Sequence, residues 1–191
     1  MQPTIFSSYE ELLKKLDVQL QELPGLQCPT ACDECCRLSL TVFPVEAYYL
    51  RAAFQRLTES ERLRVLEKTR VRPEAEACLL LADHRCMLYP CRPVLCRTYG
   101  YPLLGRDRKG PEGWSVSPSC PRSRPRRIRP ASGRWLRFKA LPQDPINDLL
   151  VAVNRLFIRQ AGLEAGGLPL RVPIAKIPEL PPLVGDPNAS L

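Results

Sequence analysis

The chain has 191 residues and a net charge of +8 at pH 7, enough for one domain with a modest core and flanking tails. Hydrophobic residues make up 45% of it and 21 residues are proline, about twice the usual share of proline, so much of the backbone is expected to be irregular. The longest unbroken apolar stretch, 77-ACLLLA-82, is far below the ~20 residues a membrane span needs. No basic start followed by an apolar run and a cleavage site opens the sequence. Both features argue against a membrane or secreted protein and for a cytoplasmic one.

In chain order, 8-SYEELLKKLDVQLQEL-23 opens with Ser8 and Glu11 in capping-box spacing and repeats leucine at helical intervals until Pro24-Gly25, which predicts an amphipathic helix. The stretch 28-CPTACDECC-36 follows, with four cysteines in nine residues. Leu38, Leu40 and Val42 then alternate with polar or small residues as a short strand would. Pro44 suits the first turn of a helix running to about Leu57, and Thr58 with Glu61 predicts a second capping box before a helix over 59–70. From Cys78 to Cys120 periodicity is lost. A last helix is predicted from Asp144 as cap and Pro145 in the first turn, with Ile146, Leu149, Leu150, Val153, Leu156 and Phe157 on one face and an end at Gly162. Beyond it, prolines recur through 168–187, as in an extended tail over the domain or loose in solvent.

The nine cysteines carry the chemistry. A reducing compartment disfavours structural disulfides, and adjacent Cys35 and Cys36 can pair with each other only through a strained turn. Bound metal remains. Cys78, Cys86, Cys91 and Cys96 supply four more thiols, and Cys120 lies beyond them. That is sulfur for two four-thiolate sites, or for one iron–sulfur cluster with spare ligands. Crowded thiolates repel one another unless a cation is bound, and Arg37, Arg92 and Arg97, beside these cysteines, can offset residual charge. Cys28, Cys32 and Cys35 also have the C-x3-C-x2-C spacing of radical S-adenosylmethionine enzymes, but the strand–helix alternation of their barrel is missing.

Other constellations are weaker. His84, the only histidine, belongs in a polar loop or serves as an alternative metal ligand. Glu46 is a solvated or capping carboxylate ahead of a ligand or general base. From Arg122 to Lys139 there are eight basic residues and no acid, while the rest of the chain is charge-balanced. Interrupting prolines make this segment a solvated loop before a nucleic-acid contact. Trp114, Trp135 and Phe138 beside it pack a core edge in preference to stacking on bases.

Taken together, 28-CPTACDECC-36, Cys78, 86-CMLYPCRPVLCRTY-99 and Cys120 resemble the YkgJ-type cysteine-cluster family, whose signature is CxxxCxxCC and whose members are described as chelating zinc or iron. The resemblance covers about residues 28–120, including the R-P-x-x-C-R-x-Y block from Arg92 to Tyr99. It implies Cys28, Cys32, Cys35, Cys36, Cys78, Cys86, Cys96 and Cys120 as metal ligands. Cys91 departs from the pattern, as a spare thiol, an alternative ligand or a redox-active residue. One branch, the flagellin lysine methylases, is associated with an iron–sulfur cluster and methyl transfer.

The expected fold is mainly α with short irregular β, a small single domain with long loops organised around a cysteine-ligated metal site. The metal-binding domain takes residues 1–162, with core 28–120 between flanking helices 8–23 and 145–161, and the Pro-rich tail takes 163–191. The expected function is metal binding, with zinc or an iron–sulfur cluster as cofactor and a metal ion as partner. An iron–sulfur-dependent methyltransferase or radical enzyme is one alternative. The other is a nucleic-acid-binding module whose metal is structural and whose contacts run from Arg122 to Arg137. No membrane is expected as a partner, and the sequence names no protein partner.

Overall fold

The structure, a computed structural model, describes residues 4–23, 33–71, 77–106, 114–117, 140–163 and 169–183. Cys28, Cys32, Cys120, the segment from Arg122 to Lys139, Trp135, Phe138 and the Trp114 side chain lie outside that description. The fold is mainly helical with short strands, as expected. Helix α1 (Ser7–Gln21) buries Tyr9, Leu12, Leu13, Leu16 and Leu20, the leucine face anticipated from the sequence. Its capping box at Ser8 does not form. The chain turns one residue earlier, where the Ser7 N–H donates to the Thr4 carbonyl at 3.0 Å, so Ser8 falls inside the helix and Glu11 pairs with Lys15 at 2.8 Å.

The strand expected over 38–42 shortens to β1 (Thr41–Val42), and α2 (Pro44–Gln55) follows directly. Helix α3 (Glu59–Val71) does carry its box: the Thr58 N–H donates to Glu61 Oε2 at 2.9 Å and the Glu61 N–H to Thr58 Oγ1 at 3.4 Å. Strands β2 (Leu81–Ala82) and β3 (Arg85–Cys86) form a tight antiparallel hairpin. The five-residue helix α4 (Val94–Thr98) comes next. Strand β4 (Leu103–Arg106) sits between antiparallel β5 (Trp114–Ser117) and parallel β6 (Leu141–Pro142).

Helix α5 (Gln143–Gln160) starts one residue before Asp144, with Pro142 at the cap position. Asp144 therefore lies within the first turn, where its Oδ2 accepts the Arg106 N–H at 3.2 Å. Leu150, Val153 and Phe157 are buried as expected, with Asn154 among them. Leu149 and Leu156 are exposed instead, because they flank a shallow groove against Leu12 and Lys15 of α1. No described helix is long and apolar enough to cross a membrane.

Two hydrophobic cores share α2. The first joins α1, α2, α4 and α5 through Leu13, Leu16, Tyr48, Val94 and Phe157, among others. The second takes the opposite face of α2, with Leu50 and Phe54, and packs it against Val65, Leu80, Leu88, Val172 and Ile177. Residues 169–183 thus lie on the domain. Strand β7 (Val172–Pro173) pairs antiparallel with β1, the 3-10 turn Ile174–Glu179 buries Ile174 and Ile177, and Arg51 Nε donates to the Leu180 carbonyl at 2.8 Å.

Helix α5 ends on Gly162 at φ +66°, with the Leu163 N–H on the Ile158 carbonyl at 3.0 Å and the Gly162 N–H on that of Arg159 at 3.2 Å. This Schellman arrangement requires a left-handed residue after the helix. A Cβ there would touch nothing, so the cost of Gly162→Ala is conformational alone. We expect about 1 kcal/mol of lost stability, read as a lower urea midpoint with an unchanged slope.

Candidate metal centre

The candidate site is built from short segments that cannot bury themselves. The 3-10 turn Glu34–Arg37 presents Cys35 and Cys36, residue 78 precedes the hairpin, β3 carries Cys86 and α4 carries Cys96. The Cys78 N–H donates to the Cys36 carbonyl and so ties the first cysteine block to the second. All five thiols line one cavity of about 400 Å³ whose far wall is Pro173, Ile174, Ala175, Lys176 and Glu179. Cys35, Cys36, Cys86 and Cys96 also face a second, wider basin with His84, Arg92 and Tyr99 on its rim. Four of the five thiols thus border both spaces, and Cys78 borders the first.

Helix α4 is held at its two ends, through Val94 and Arg97. The carboxylate of Glu46, buried in the first turn of α2, accepts the Val94 N–H on Oε1 at 3.0 Å and the Phe43 N–H on Oε2 at 2.9 Å, and the Tyr9 hydroxyl donates to Oε1 at 3.4 Å. Glu46 is thus a capping carboxylate, as the sequence suggested, but buried at 2% exposure and shared between two helix N-termini. Burial pushes its carboxyl above the usual range, against the pull of those two N–H groups. On the flank of α4, Arg97 Nη1 holds both oxygens of Asp17 at 2.7 Å, and its other nitrogens donate to the carbonyls of Arg92 and Pro90. Val45 at the start of α2 donates its N–H to buried Asn154 Oδ1 of α5 at 3.0 Å.

The three arginines beside the cysteines have separate tasks. Arg97 serves Asp17, and Arg37 reaches both oxygens of Asp33 at 3.2 and 3.1 Å. Arg92 stays with the sulfurs. It lies over the Tyr89 ring at 3.7 Å and donates to the Tyr89 carbonyl at 3.2 Å, and its charge lowers the pKa values of Cys35, Cys86 and Cys96.

The thiols differ in charge state. A hydrogen bond from Cys36, assisted by Arg92, lowers Cys35 to about 6, and the same bond raises Cys36. Burial pushes Cys78 up to about 11, Cys96 up to about 12, and Cys86 in the same direction. The six described cysteines are free thiols. They are gathered but not set in coordination: among the described residues, no three Cys, His, Asp or Glu side chains are arranged to hold a metal ion. As a donor set, five sulfurs beside the Arg92 guanidinium suit soft thiolate chemistry, meaning zinc or iron.

Cys91 sits in the 3-10 turn Tyr89–Cys91 and packs against the second core, away from the lining of both cavities. His84 Nδ1 bonds Asp33 Oδ2 at 3.0 Å, an interaction across 51 positions that no local pattern announces.

Residues 27–121 match the family model CxxCxxCC, described as a "putative zinc- or iron-chelating domain". No curated protein and no solved structure matches the chain.

Replacing Glu46 by Ala leaves two buried N–H groups without an acceptor. We expect a loss of about 2–5 kcal/mol in chemical denaturation for Glu46→Ala, and about 1–3 kcal/mol for Glu46→Gln, whose amide faces one of the two donors with another donor.

Proposed function

The chain belongs to the CxxCxxCC family of zinc- or iron-chelating domains, and from that membership we propose that it holds a multinuclear zinc or iron–sulfur centre. Its nucleus is Cys35, Cys36, Cys78, Cys86 and Cys96, completed by Cys28, Cys32 and Cys120. The observation that supports this reading is the convergence of five thiols, from segments 33–37, 77–78, β3 and α4, on one cavity wall. A single tetrahedral ion takes four ligands, so five gathered thiols exceed one such site. Eight would fill two such sites, or a cluster and its neighbour.

Bound metal would supply the positive charge that keeps buried thiols deprotonated. The chain's own residues do the rest. Arg92 offsets excess negative charge, while the Cys78 N–H to Cys36 carbonyl bond keeps the two cysteine blocks in register. Glu46 and Arg97 hold α4, and with it Cys96, against the helices. Residues of the 173–179 segment line the same cavity as the thiols.

The test is anaerobic purification followed by metal and acid-labile sulfide analysis and an absorption spectrum. We expect more than one zinc or iron per chain, and a reduced content in both Cys35→Ser and Cys78→Ser. One metal ion per chain, or none, would rule out the multinuclear centre. Colourless protein with zinc and no sulfide would assign paired zinc over a cluster.

A further inference from the structure

Asp33 occupies the cap position of the 3-10 turn Glu34–Arg37, yet its side chain does not cap that turn. The carboxylate, in a residue only 7% exposed, is committed elsewhere. Both oxygens accept from Arg37, and Oδ2 also receives His84 Nδ1 at 3.0 Å. His84 is at the tip of the β2–β3 hairpin, where the two central residues Asp83 and His84 adopt φ +48° and +60°. A two-residue hairpin turn of this kind favours Asn-Gly or Gly-Gly because both positions are left-handed. Here neither is glycine; Asp and His enter this region more readily than most side chains, but each still bears the cost of its Cβ there.

The contact is poor compensation for that strain. The His84 side chain is 61% exposed, and ion pairs in water contribute little to stability. Strain retained without a stabilising return points to function. The hairpin meets the Cys35–Cys36 turn at two points, the Cys78 N–H on the Cys36 carbonyl at its base and His84 on Asp33 at its tip. Between them lies Cys86, paired in register with Leu81. Without the contact at the tip, the hairpin would be joined to the Cys35–Cys36 turn by a hydrogen bond only at its base.

Resting on the metal-centre reading above, we infer that His84 and Asp33 are positioning residues: their contact locks the hairpin so that Cys86 faces the Cys35–Cys36 pair, and His84 is kept in a strained conformation for the centre and not for the fold. An Asn side chain places Nδ2 at the same remove from the backbone as His Nδ1 and tolerates the left-handed region. Gly relieves the strain and lacks the donor.

The experiment compares full-length wild type, His84→Asn and His84→Gly, each isolated with its metal, for metal content, rate of metal loss to a chromogenic zinc or iron chelator, helical circular dichroism and thermal midpoint. We expect His84→Gly to lose metal about 10–100-fold faster, with its helical signal intact and the midpoint of its metal-depleted form unchanged or raised. His84→Asn is expected to stay within about threefold of wild type, because it keeps the donor. Wild-type retention in His84→Gly overturns the inference. So does equally fast loss in both variants, which makes the imidazole itself the ligand, or a fall in the metal-depleted midpoint of His84→Gly, which makes the contact structural. Wild-type protein that carries neither zinc nor iron overturns the metal-centre reading itself.

Discussion

The Glu46 carboxylate accepts hydrogen bonds from three parts of the chain, namely the cap of its own helix, the first turn of α4 and the Tyr9 hydroxyl of α1. A buried carboxylate is costly unless its oxygens are filled, and here the filling groups are backbone donors that would otherwise be orphaned at two helix N-termini. The two deficits cancel each other. Because the match needs α1, α2 and α4 in one relative arrangement, it sets where Cys96 can be. Arg97 then orients the rest of α4 through Asp17, 80 residues away. The position of one candidate ligand thus depends on contacts made by residues with no metal chemistry of their own.

The other thiols are supported less by packing than by thread-like contacts. Cys35 and Cys36 sit on a single 3-10 turn, Cys78 lies outside any helix or strand and Cys86 is on a two-residue strand. Cys78, Cys86 and Cys96 nevertheless touch the second hydrophobic core, so the candidate centre and that core share a boundary. Metal binding and folding should be coupled at this boundary, because segments with little apolar area of their own gain order when a bound ion cross-links them. The first core is built mainly from three longer helices and meets the candidate centre through Val94 of α4.

Much of this was legible in the sequence where a local rule applied. Leucine spacing marked the face of α1, Pro44 the start of α2, and Thr58 with Glu61 the box that opens α3. The two cysteine blocks announced a shared site, and the structure brings their described members other than Cys91 to one cavity. What escaped were interactions between distant positions that obey no local grammar. Arg37, Arg92 and Arg97 look alike beside their cysteines, and only tertiary placement separates the one that stays with sulfur from the two that serve Asp33 and Asp17. Asn154 reads as a polar interruption of a helix face, yet it caps α2. Leu149 and Leu156 satisfy the helical period of α5 but fall beyond the width of the stripe that α1 and α2 cover. Asp83 and His84 give no glycine signal for the left-handed turn that they form.

The wall opposite the thiols comes from residues 173–179, more than fifty positions beyond the end of the matched segment 27–121. The recognisable cysteine signature is therefore not a self-contained vessel. Its sulfurs supply the chemistry, but the opposite side of the cavity that they line is contributed by a strand and a 3-10 turn carrying no cysteine at all. In evolutionary terms, the ligands and their shelter can drift separately: two chains with the same signature could hold the same centre in a closed or an open setting. How guarded the metal is would then be decided by a stretch that a comparison of signatures alone would pass over.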